Sequence, residues 1–244
     1  MERCPSGIEG LDVLLSGGFP RGRSILLSGG CGTGKTAFGI EFVHNGAIKY
    51  GEPGIFVALE QNPSLLRLDM LGMGYDLSRL EREGKLRIID GSLSKRGPEA
   101  VMKSRGQVSD VPIIALPEKF SIDDINKKVL DVAKQVGARR VVIDSISSLS
   151  EIIAGGSEVR DTLLELNYSL QDAGLTSLII VDTIDDESIS SEQGVEEYVA
   201  DGVLVLKVNE ALDTRTLRIK KMRGTKHTLK PHIFELSSGG ILMR

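Results

Sequence analysis

The eight residues from position 29 to position 36, GGCGTGKT, combine four glycines with one lysine and one terminal hydroxyl residue. This spacing is typical of a phosphate-binding loop, in which backbone N–H groups surround phosphate oxygens and glycines leave those groups accessible. The Lys35 ammonium is expected to reach the β- and γ-phosphates, and the Thr36 hydroxyl to hold a Mg²⁺ ion that bridges them. The predicted nucleotide contacts are Gly29, Gly30, Cys31, Gly32, Thr33, Gly34, Lys35, Thr36 and Ala37.

Two acidic residues are candidates to complete this chemistry. The apolar run RRVVID ends on Asp144, which would lie beside the loop if the two strands are neighbours, and which could hold Mg²⁺ through water. The run GIFVALEQ carries Glu60 near its end, where a carboxylate could orient water in line with the γ-phosphate. The alternative for both residues is an ordinary solvated acid at the end of a strand.

Short apolar runs recur along the chain, and each is too short for a helix and too continuous for a half-exposed strand. The predicted buried parallel strands are SILLS, GIFVAL, LRII, RRVVID, TSLIIV and GVLVLKV. Between them, SEVRDTLLELNYSLQDAG predicts a helix that Gly174 can end, with one apolar face formed by Val159, Leu163, Leu166 and Leu170. The alternation predicts an α/β fold with a doubly wound, mainly parallel sheet that binds ligands at the carboxyl ends of its strands.

The end of the chain has a different pattern. From residue 201, DGVLVLKVNEALDTRTLRIKKMRG predicts two strands around a polar turn, and HIFELSSGGILM predicts a further hairpin. Antiparallel strands should therefore form one edge of the sheet. By contrast, residues 92–120 contain three prolines and no sustained hydrophobic period, so we predict an inserted loop region there.

The composition is that of an ordinary globular chain. It has 244 residues, 41% hydrophobic and 26% charged, which predicts one folded domain over residues 1–244. No apolar stretch has the length of a membrane span and the amino terminus has no signal segment, so a cytoplasmic protein without a membrane partner is expected. A net charge of −4 gives no general attraction to nucleic acid. The pair Arg139 and Arg140 is interpreted as the solvated start of a strand.

In six segments the chain resembles the KaiC-like branch of the RecA superfamily of ATPases, and especially its short archaeal proteins with one ATPase domain. The segments follow the family's order over nearly the whole chain: PSGIEGLDVLLSGGFPRG, GGCGTGKT, FVALEQNP, RRVVIDSISS, VEEYVADGVLVL and KMRGTKH. The resemblance implies a RecA-like P-loop NTPase that binds ATP with Mg²⁺ and hydrolyses it. It also implies a homo-oligomeric ring, commonly a hexamer, with nucleotide sites between subunits.

The same resemblance assigns three basic side chains to a neighbouring subunit's nucleotide. Lys221 and Arg223 of KMRG would act in hydrolysis, and His227 would contact the nucleotide from the same segment. Because alternate residues of a strand share one face, Lys221 and Arg223 could project together and neutralise transition-state charge in trans. Without the resemblance, a solvated basic strand end is the simpler interpretation.

Two positions depart from the family pattern. Gln61 follows Glu60, where the family often has a second glutamate, so hydrolysis could be weak or could depend on Glu60 alone. Glu197 and Tyr198 stand near the position of the Ser/Thr pair of the family's autokinase domain. We therefore predict no autophosphorylation of the clock type.

Two other functions are compatible with the loop motif. The first is a nucleotide-gated regulatory assembly with little turnover, which the Gln61 departure favours. The second is a DNA recombination ATPase of the RecA type. Residues 183–197, where a DNA-contacting loop would lie, carry six acidic residues and no basic one, whereas affinity for DNA depends largely on lysine and arginine. Nucleic acid is therefore not an expected partner.

Overall fold

The structure, a computed structural model, describes residues 1–92, 114–117, 119–149, 156–182 and 199–244. The strands are β1 (Arg3–Cys4), β2 (Phe19–Pro20), β3 (Ser24–Gly29), β4 (Gly54–Ala58), β5 (Leu86–Asp90), β6 (Ile114–Ala115), β7 (Arg140–Asp144), β8 (Thr176–Asp182), β9 (Gly202–Asn209), β10 (Thr214–Met222), β11 (His232–Ser237) and β12 (Gly240–Met243). The helices are α1 (Leu11–Leu14), α2 (Lys35–Lys49), α3 (Pro63–Gly72), α4 (Leu77–Arg82), α5 (Ile122–Val136) and α6 (Gly156–Asp172). None of these described helices is both long and apolar enough to cross a bilayer.

Ten of the strands form one sheet in the order β12-β11-β10-β9-β3-β8-β7-β4-β5-β6, and β1 pairs with β2 in a separate ribbon. From β9 to β6 every neighbouring pair is parallel. From β9 to β12 every neighbouring pair is antiparallel. The six predicted strands are thus all present, and the predicted fold class, a mainly parallel sheet with an antiparallel carboxyl-terminal edge, is confirmed.

Two details of the sheet differ from the prediction. The strand that ends on Asp144, β7, is not a neighbour of β3, because β8 lies between them. Within residues 92–120, Ile114–Ala115 form β6, which pairs in parallel with Ile89–Asp90 of β5. Residues 93–113 and 118 lie outside the described residues, and the inserted loop stays a prediction for them.

The central strands bury both of their faces. In β3, Ile25 and Leu27 belong to an apolar cluster that includes side chains of α2, α3 and α4, whereas Leu26 belongs to a second cluster with α5 and α6. Because successive side chains of a strand point to opposite faces, a strand covered on both sides is apolar at consecutive positions and does not alternate between apolar and polar residues. This double burial accounts for the continuous apolar runs of the sequence.

The helices that cover the sheet begin and end at identifiable residues. Ser121 and Asp124 form a capping box at the start of α5, which ends at Gly137 with φ +65°. In α6 the predicted apolar face is buried at its described positions, Leu163, Leu166 and Leu170, and the side chain of Val159 lies outside the described part. Gly174, with φ +71°, follows α6 as predicted.

Arg140 begins β7 and is fully buried, so its interpretation as a solvated residue is wrong, while Arg139 is exposed. The Arg140 Nε donates to Glu52 Oε2 over 2.7 Å, and the Arg140 Nη1 donates to the Phe42 carbonyl over 3.0 Å. The guanidinium also lies 4.7 Å from the centre of the Phe42 ring. Arg140 is tolerated inside the protein because Glu52 compensates its charge and because Glu52 and the Phe42 carbonyl accept from its Nε and Nη1.

We expect Glu52→Gln to destabilise the fold by about 3 kcal/mol, because the buried guanidinium of Arg140 would lose its carboxylate partner. Burial alone would raise the pKa of Glu52, but the hydrogen bond and charge of Arg140, and then those of Arg21, lower it. The contribution of Glu52 is therefore complete above its unfolded pKa of about 4.3 and is lost as the pH falls through the lower folded pKa. Urea unfolding at neutral and acidic pH checks both effects.

A matched control for this variant is Glu83→Gln. Glu83 follows α4 at an exposed position, and its Oε1 accepts from Arg79 Nε over 2.8 Å. Because exposed ion pairs contribute little, its unfolding midpoint should stay close to that of the native protein. Equal midpoints for the two variants would contradict the role assigned to the buried pair.

Candidate nucleotide site

The segment from Gly29 to Thr36 joins the carboxyl end of β3 to the first turn of α2. Gly32 and Gly34 have φ values of +73° and +99°, a backbone conformation that favours glycine, and Gly34 caps the amino end of α2. The first turn of α2 supplies N–H groups that have no acceptor within the helix. The segment therefore has the backbone geometry of an anion-binding loop.

The loop also packs closely against β9. A Cβ on Gly29 would lie 2.8 Å from the Leu206 carbonyl oxygen and 2.8 Å from the Thr33 hydroxyl, so a side chain has no room there. The Thr33 hydroxyl itself donates to the Gly30 carbonyl over 2.9 Å. Cys31 is exposed in the loop as a free thiol. Glycine is thus required at position 29 because a side chain has no room there, and at positions 32 and 34 because the backbone has positive φ.

Lys35 is held by two oxygen atoms. Its Nζ donates to the Gly30 carbonyl over 2.7 Å and lies 2.8 Å from Asp182 Oδ1, with 9% of the side chain exposed. Asp182 is the last residue of β8 and is a site residue that the sequence analysis missed. Its signal was an acid directly after the apolar run TSLIIV, in the same relation to its strand as Asp144 has to β7.

Thr36 and Asp144 are in direct contact although their strands are separated by β8. Thr36 Oγ1 donates to Asp144 Oδ2 over 2.7 Å. The contact is possible because α2 packs across β8 and β7, which brings its first turn to the end of β7. Burial raises the pKa of Asp144 to about 6; the Thr36 hydroxyl opposes this rise, and the nearby carboxylates of Glu60 and Asp182 add to it.

Glu60 lies shortly after the end of β4, exposed at the same edge of the sheet. Ser145 Oγ is 2.6 Å from Glu60 Oε1 and 2.8 Å from Asp182 Oδ2. Ser145 is almost completely buried and was not singled out from the sequence. The neighbouring Gln61 donates its amide to Asp69 Oδ2 of α3 over 2.8 Å.

Three carboxylates and one ammonium therefore share the carboxyl edge of the parallel strands. Glu60, Asp144 and Asp182 supply the negative charges, and Lys35 supplies the positive one. Such a cluster favours a divalent cation, whose oxygen ligands could come from Thr36 and Asp144 together with phosphate and water. It disfavours a bare polyphosphate, because three carboxylates repel it.

Two of the predicted basic residues, Lys221 and Arg223, lie toward the amino ends of the parallel strands, away from the loop at their carboxyl ends. Lys221 pairs with Val203, which in turn pairs with Leu26 of β3, and the Arg223 amide donates to the Asp201 carbonyl. Arg223 is thus level with the first residue of β3, and about 16 Å of strand separates that level from Gly29. An arginine side chain does not span this distance, so Arg223 does not reach the loop of its own chain, and Lys221 Nζ instead contacts the Ala200 carbonyl.

Arg223 is not part of β10, contrary to the prediction that it shares a strand face with Lys221. The strand has a bulge between Ile219 and Lys221 and ends at Met222. Both side chains nevertheless turn to one short segment: Lys221 Nζ donates to the Ala200 carbonyl over 2.6 Å, and Arg223 Nη1 lies 3.5 Å from Asp201 Oδ1. The Arg223 side chain remains 60% exposed.

His227 lies in the connection between β10 and β11, after Arg223. Its Nδ1 is 3.0 Å from the Thr225 carbonyl, and the Thr225 hydroxyl accepts from Arg3 Nη1 over 2.6 Å. His227 therefore follows the other two basic residues along the chain, in a connection that leads to His232, which is level with Gly29. The acidic stretch 183–197 and the positions Glu197 and Tyr198 lie outside the described residues, so the predictions made for them stay predictions.

Comparison with known proteins gives one consistent result. A family model described as "ATPase: KaiC" matches residues 4–243. A UPF0273 protein of Aeropyrum pernix is 38% identical over 245 residues, with 100% of this chain and 94% of that protein covered. The circadian clock oscillator protein KaiC of Synechococcus elongatus is 35% identical over 236 residues, and the match spans 42% of its length.

The fold is similar to that of a solved archaeal structure. The crystal structure of a KaiC-like protein from Pyrococcus horikoshii superimposes with a TM-score of 0.81 at 36% sequence identity, covering 100% of this chain and 99% of that one. The predicted RecA-like architecture and the predicted family resemblance are both confirmed.

Proposed function

The chain belongs to the KaiC family of ATPases within the RecA superfamily, and from that premise we propose that it binds MgATP at residues 29–36 and hydrolyses it. The observation that carries the proposal is the 2.7 Å contact of Thr36 Oγ1 with Asp144 Oδ2, beside a loop that also presents Lys35. A hydroxyl and a carboxylate at this separation can bind one cation together, and the loop amides can bind the phosphates.

The donor set fits Mg²⁺, because Thr36 and Asp144 offer oxygen atoms only. The raised pKa of Asp144 reflects burial beside other carboxylates, and a divalent cation at this position would favour the ionised form. Bound there, Mg²⁺ would neutralise charge on the β- and γ-phosphates. Lys35 would supply a second positive charge to the same phosphates once it leaves Asp182.

Glu60 is the residue proposed to orient the attacking water and accept its proton. The water oxygen forms a bond to the γ-phosphorus, the bond from this phosphorus to the β–γ bridging oxygen breaks, and ADP leaves with that electron pair. The proton accepted by Glu60 then passes to the phosphate product or to solvent. Glu60 suits this role because it is exposed to water at the end of the strand beside β7.

Lys221 and Arg223 are proposed to act on the nucleotide of a neighbouring subunit in a ring, commonly a hexamer, and His227 to contact it. The separation of Lys221 and Arg223 from the loop of their own chain supports a role in trans, because both are placed by a rigid sheet at the end of the strands opposite to the loop. The exposed guanidinium of Arg223 supports it further, because a group that meets another subunit must lie at the surface.

Isothermal titration calorimetry with MgATP tests the binding step. The native protein should bind, and Lys35→Ala should weaken binding by about 50-fold, since it removes charged hydrogen bonds to phosphate. Lys49→Ala, at the other end of α2, is the matched control and should bind as the native protein does. Chelation of Mg²⁺ should also weaken binding. Folded native protein that takes up no nucleotide with Mg²⁺ present would contradict the proposal.

A further inference from the structure

Short contacts link the lysine of the loop to the carboxylate proposed to orient water. Lys35 Nζ lies 2.8 Å from one oxygen of Asp182, and the other Asp182 oxygen lies 2.8 Å from Ser145 Oγ. Ser145 Oγ is in turn 2.6 Å from Glu60 Oε1. Lys35 and Ser145 are shielded, with 9% and 1% of their side chains exposed, whereas Asp182 is 40% exposed. Because each contact is direct, a change of charge at Lys35 acts on Glu60 through Asp182 and Ser145.

Lys35 must exchange partners when a nucleotide enters. Its ammonium contacts the Gly30 carbonyl and Asp182 Oδ1 at 2.7 and 2.8 Å. A triphosphate in the loop offers more negative charge than one carboxylate, so it competes with Asp182 for the ammonium. Asp182 then loses its positive partner while it keeps its place beside Ser145.

The Ser145 hydroxyl has one proton to donate, and two carboxylate oxygens lie within hydrogen-bond distance of it. While Lys35 neutralises Asp182, Glu60 is the stronger acceptor. After Lys35 has moved to phosphate, Asp182 is an uncompensated carboxylate that is less exposed to water than Glu60, so it becomes the stronger acceptor. The proton then turns to Asp182, and Glu60 Oε1 becomes available to water.

We propose that Asp182 and Ser145 are positioning residues that couple phosphate binding at Lys35 to the readiness of Glu60. Asp182 holds Lys35 in the nucleotide-free site and competes with phosphate for it. Ser145 transmits the loss of that ion pair to Glu60. The inference rests on the proposed ATPase function and adds the route by which the site responds to a bound phosphate.

Four proteins test this coupling: native, Asp182→Asn, Ser145→Ala and the double variant. Affinity is measured by calorimetry with the magnesium complex of a non-hydrolysable ATP analogue, and kcat by steady-state phosphate release. We expect Asp182→Asn to bind the analogue about fivefold tighter, because a charged competitor for Lys35 is removed. Its kcat should fall about tenfold, because the Ser145 proton then stays on Glu60.

The decisive comparison makes Asp182→Asn in a protein that lacks the Ser145 hydroxyl, which links the two carboxylates. In the Ser145→Ala background, Asp182→Asn should keep its gain in affinity, which acts through Lys35, and should no longer change kcat. An equal loss of kcat in both backgrounds, or no gain in affinity, would overturn the inference. A residue with a merely structural role would not separate the two quantities in this way.

Asp90→Asn is the matched control, because Asp90 ends the parallel strand β5 and its Oδ1 accepts from Ser92 over 2.7 Å. It should leave the affinity unchanged, and a shift equal to that of Asp182→Asn would indicate a general charge effect and overturn the inference. Asp182 is 40% exposed, so its isosteric variant should fold, which thermal unfolding checks. If the native protein is active and Asp182→Asn has the native affinity and kcat, the coupling alone is contradicted. If the native protein is inactive, the proposed function is contradicted as well.

Discussion

Arg223→Ala is expected to lower steady-state ATP turnover by about a thousandfold, the scale associated with an arginine that stabilises phosphoryl-transfer charge in trans. The guanidinium lies level with the start of β3, and the loop lies at the opposite end of that strand. The phosphate-binding loop of the variant should therefore be unchanged, and its affinity for MgATP should be close to that of the native protein. Phosphate release measures the first effect and calorimetry the second.

Arg218→Ala provides the control for this variant, since Arg218 is an exposed arginine on β10, the strand that precedes Arg223. Its turnover should remain within a few-fold of the native rate. A similar loss of turnover in both variants would indicate that hydrolysis depends on the integrity of strand β10 and not specifically on the Arg223 guanidinium. Loss of nucleotide binding in Arg223→Ala would place its effect on the subunit's own site and contradict action in trans.

Mixing experiments provide an independent check on the shared site. A subunit with Arg223→Ala retains Glu60, and a subunit with Glu60→Gln retains Arg223. In a random equal mixture about a quarter of the boundaries would join an intact loop to an intact neighbour, because each site uses two different surfaces. Activity should return in the mixture, and its absence from fully exchanged assemblies would contradict a site built from two subunits.

Glu60→Gln is expected to lower turnover by about a hundredfold or more, because the amide orients water but does not accept its proton. MgATP affinity should change little, since Glu60 has no predicted contact with the phosphates. Steady-state phosphate release compares the variant with the native protein. Equal rates would remove Glu60 from the mechanism and favour the nucleotide-gated assembly with little turnover.

Gln61→Ala is the matched control at the adjacent position. The Gln61 amide donates to Asp69 of α3 over 2.8 Å, so its loss should affect the position of α3 more than the chemistry. Its turnover should stay within a few-fold of the native rate. A larger loss than in Glu60→Gln would assign the water-orienting role to Gln61 instead.

The elements of the fold could be predicted because the central strands of the parallel sheet are buried on both faces and therefore contain continuous apolar runs. The run SILLS, followed by closely spaced glycines and a helix, located the loop, and the acids at the ends of later runs located Glu60 and Asp144. These features are local, since they depend on burial and backbone conformation within a few residues. They are the part of a structure that a single sequence carries most directly.

The contacts that join distant segments could not be predicted in the same way. The sequence pattern does not say that β8 enters between β3 and β7, and this insertion is what brings Asp182 to Lys35. Arg140 looked like a solvated strand start because its partner Glu52 is 88 positions earlier in the chain. Arg223 lies just after the last residue of β10, and neither this strand end nor the bulge between Ile219 and Lys221 can be predicted from residue periodicity.

The position of the loop and of the basic segment at opposite ends of one sheet also limits how copies of this chain can complete one another's sites. Two copies related by a twofold axis could complete both sites only through a reciprocal contact in which the Arg223 segment of each meets the loop of the other, whereas a head-to-tail ring completes one site at every contact. If Arg223 acts on the nucleotide of the next subunit, an open row of subunits always has one terminal loop without a neighbouring Arg223. Closing the row into a ring supplies that loop with an Arg223. Specific activity would then rise with protein concentration until closure is complete.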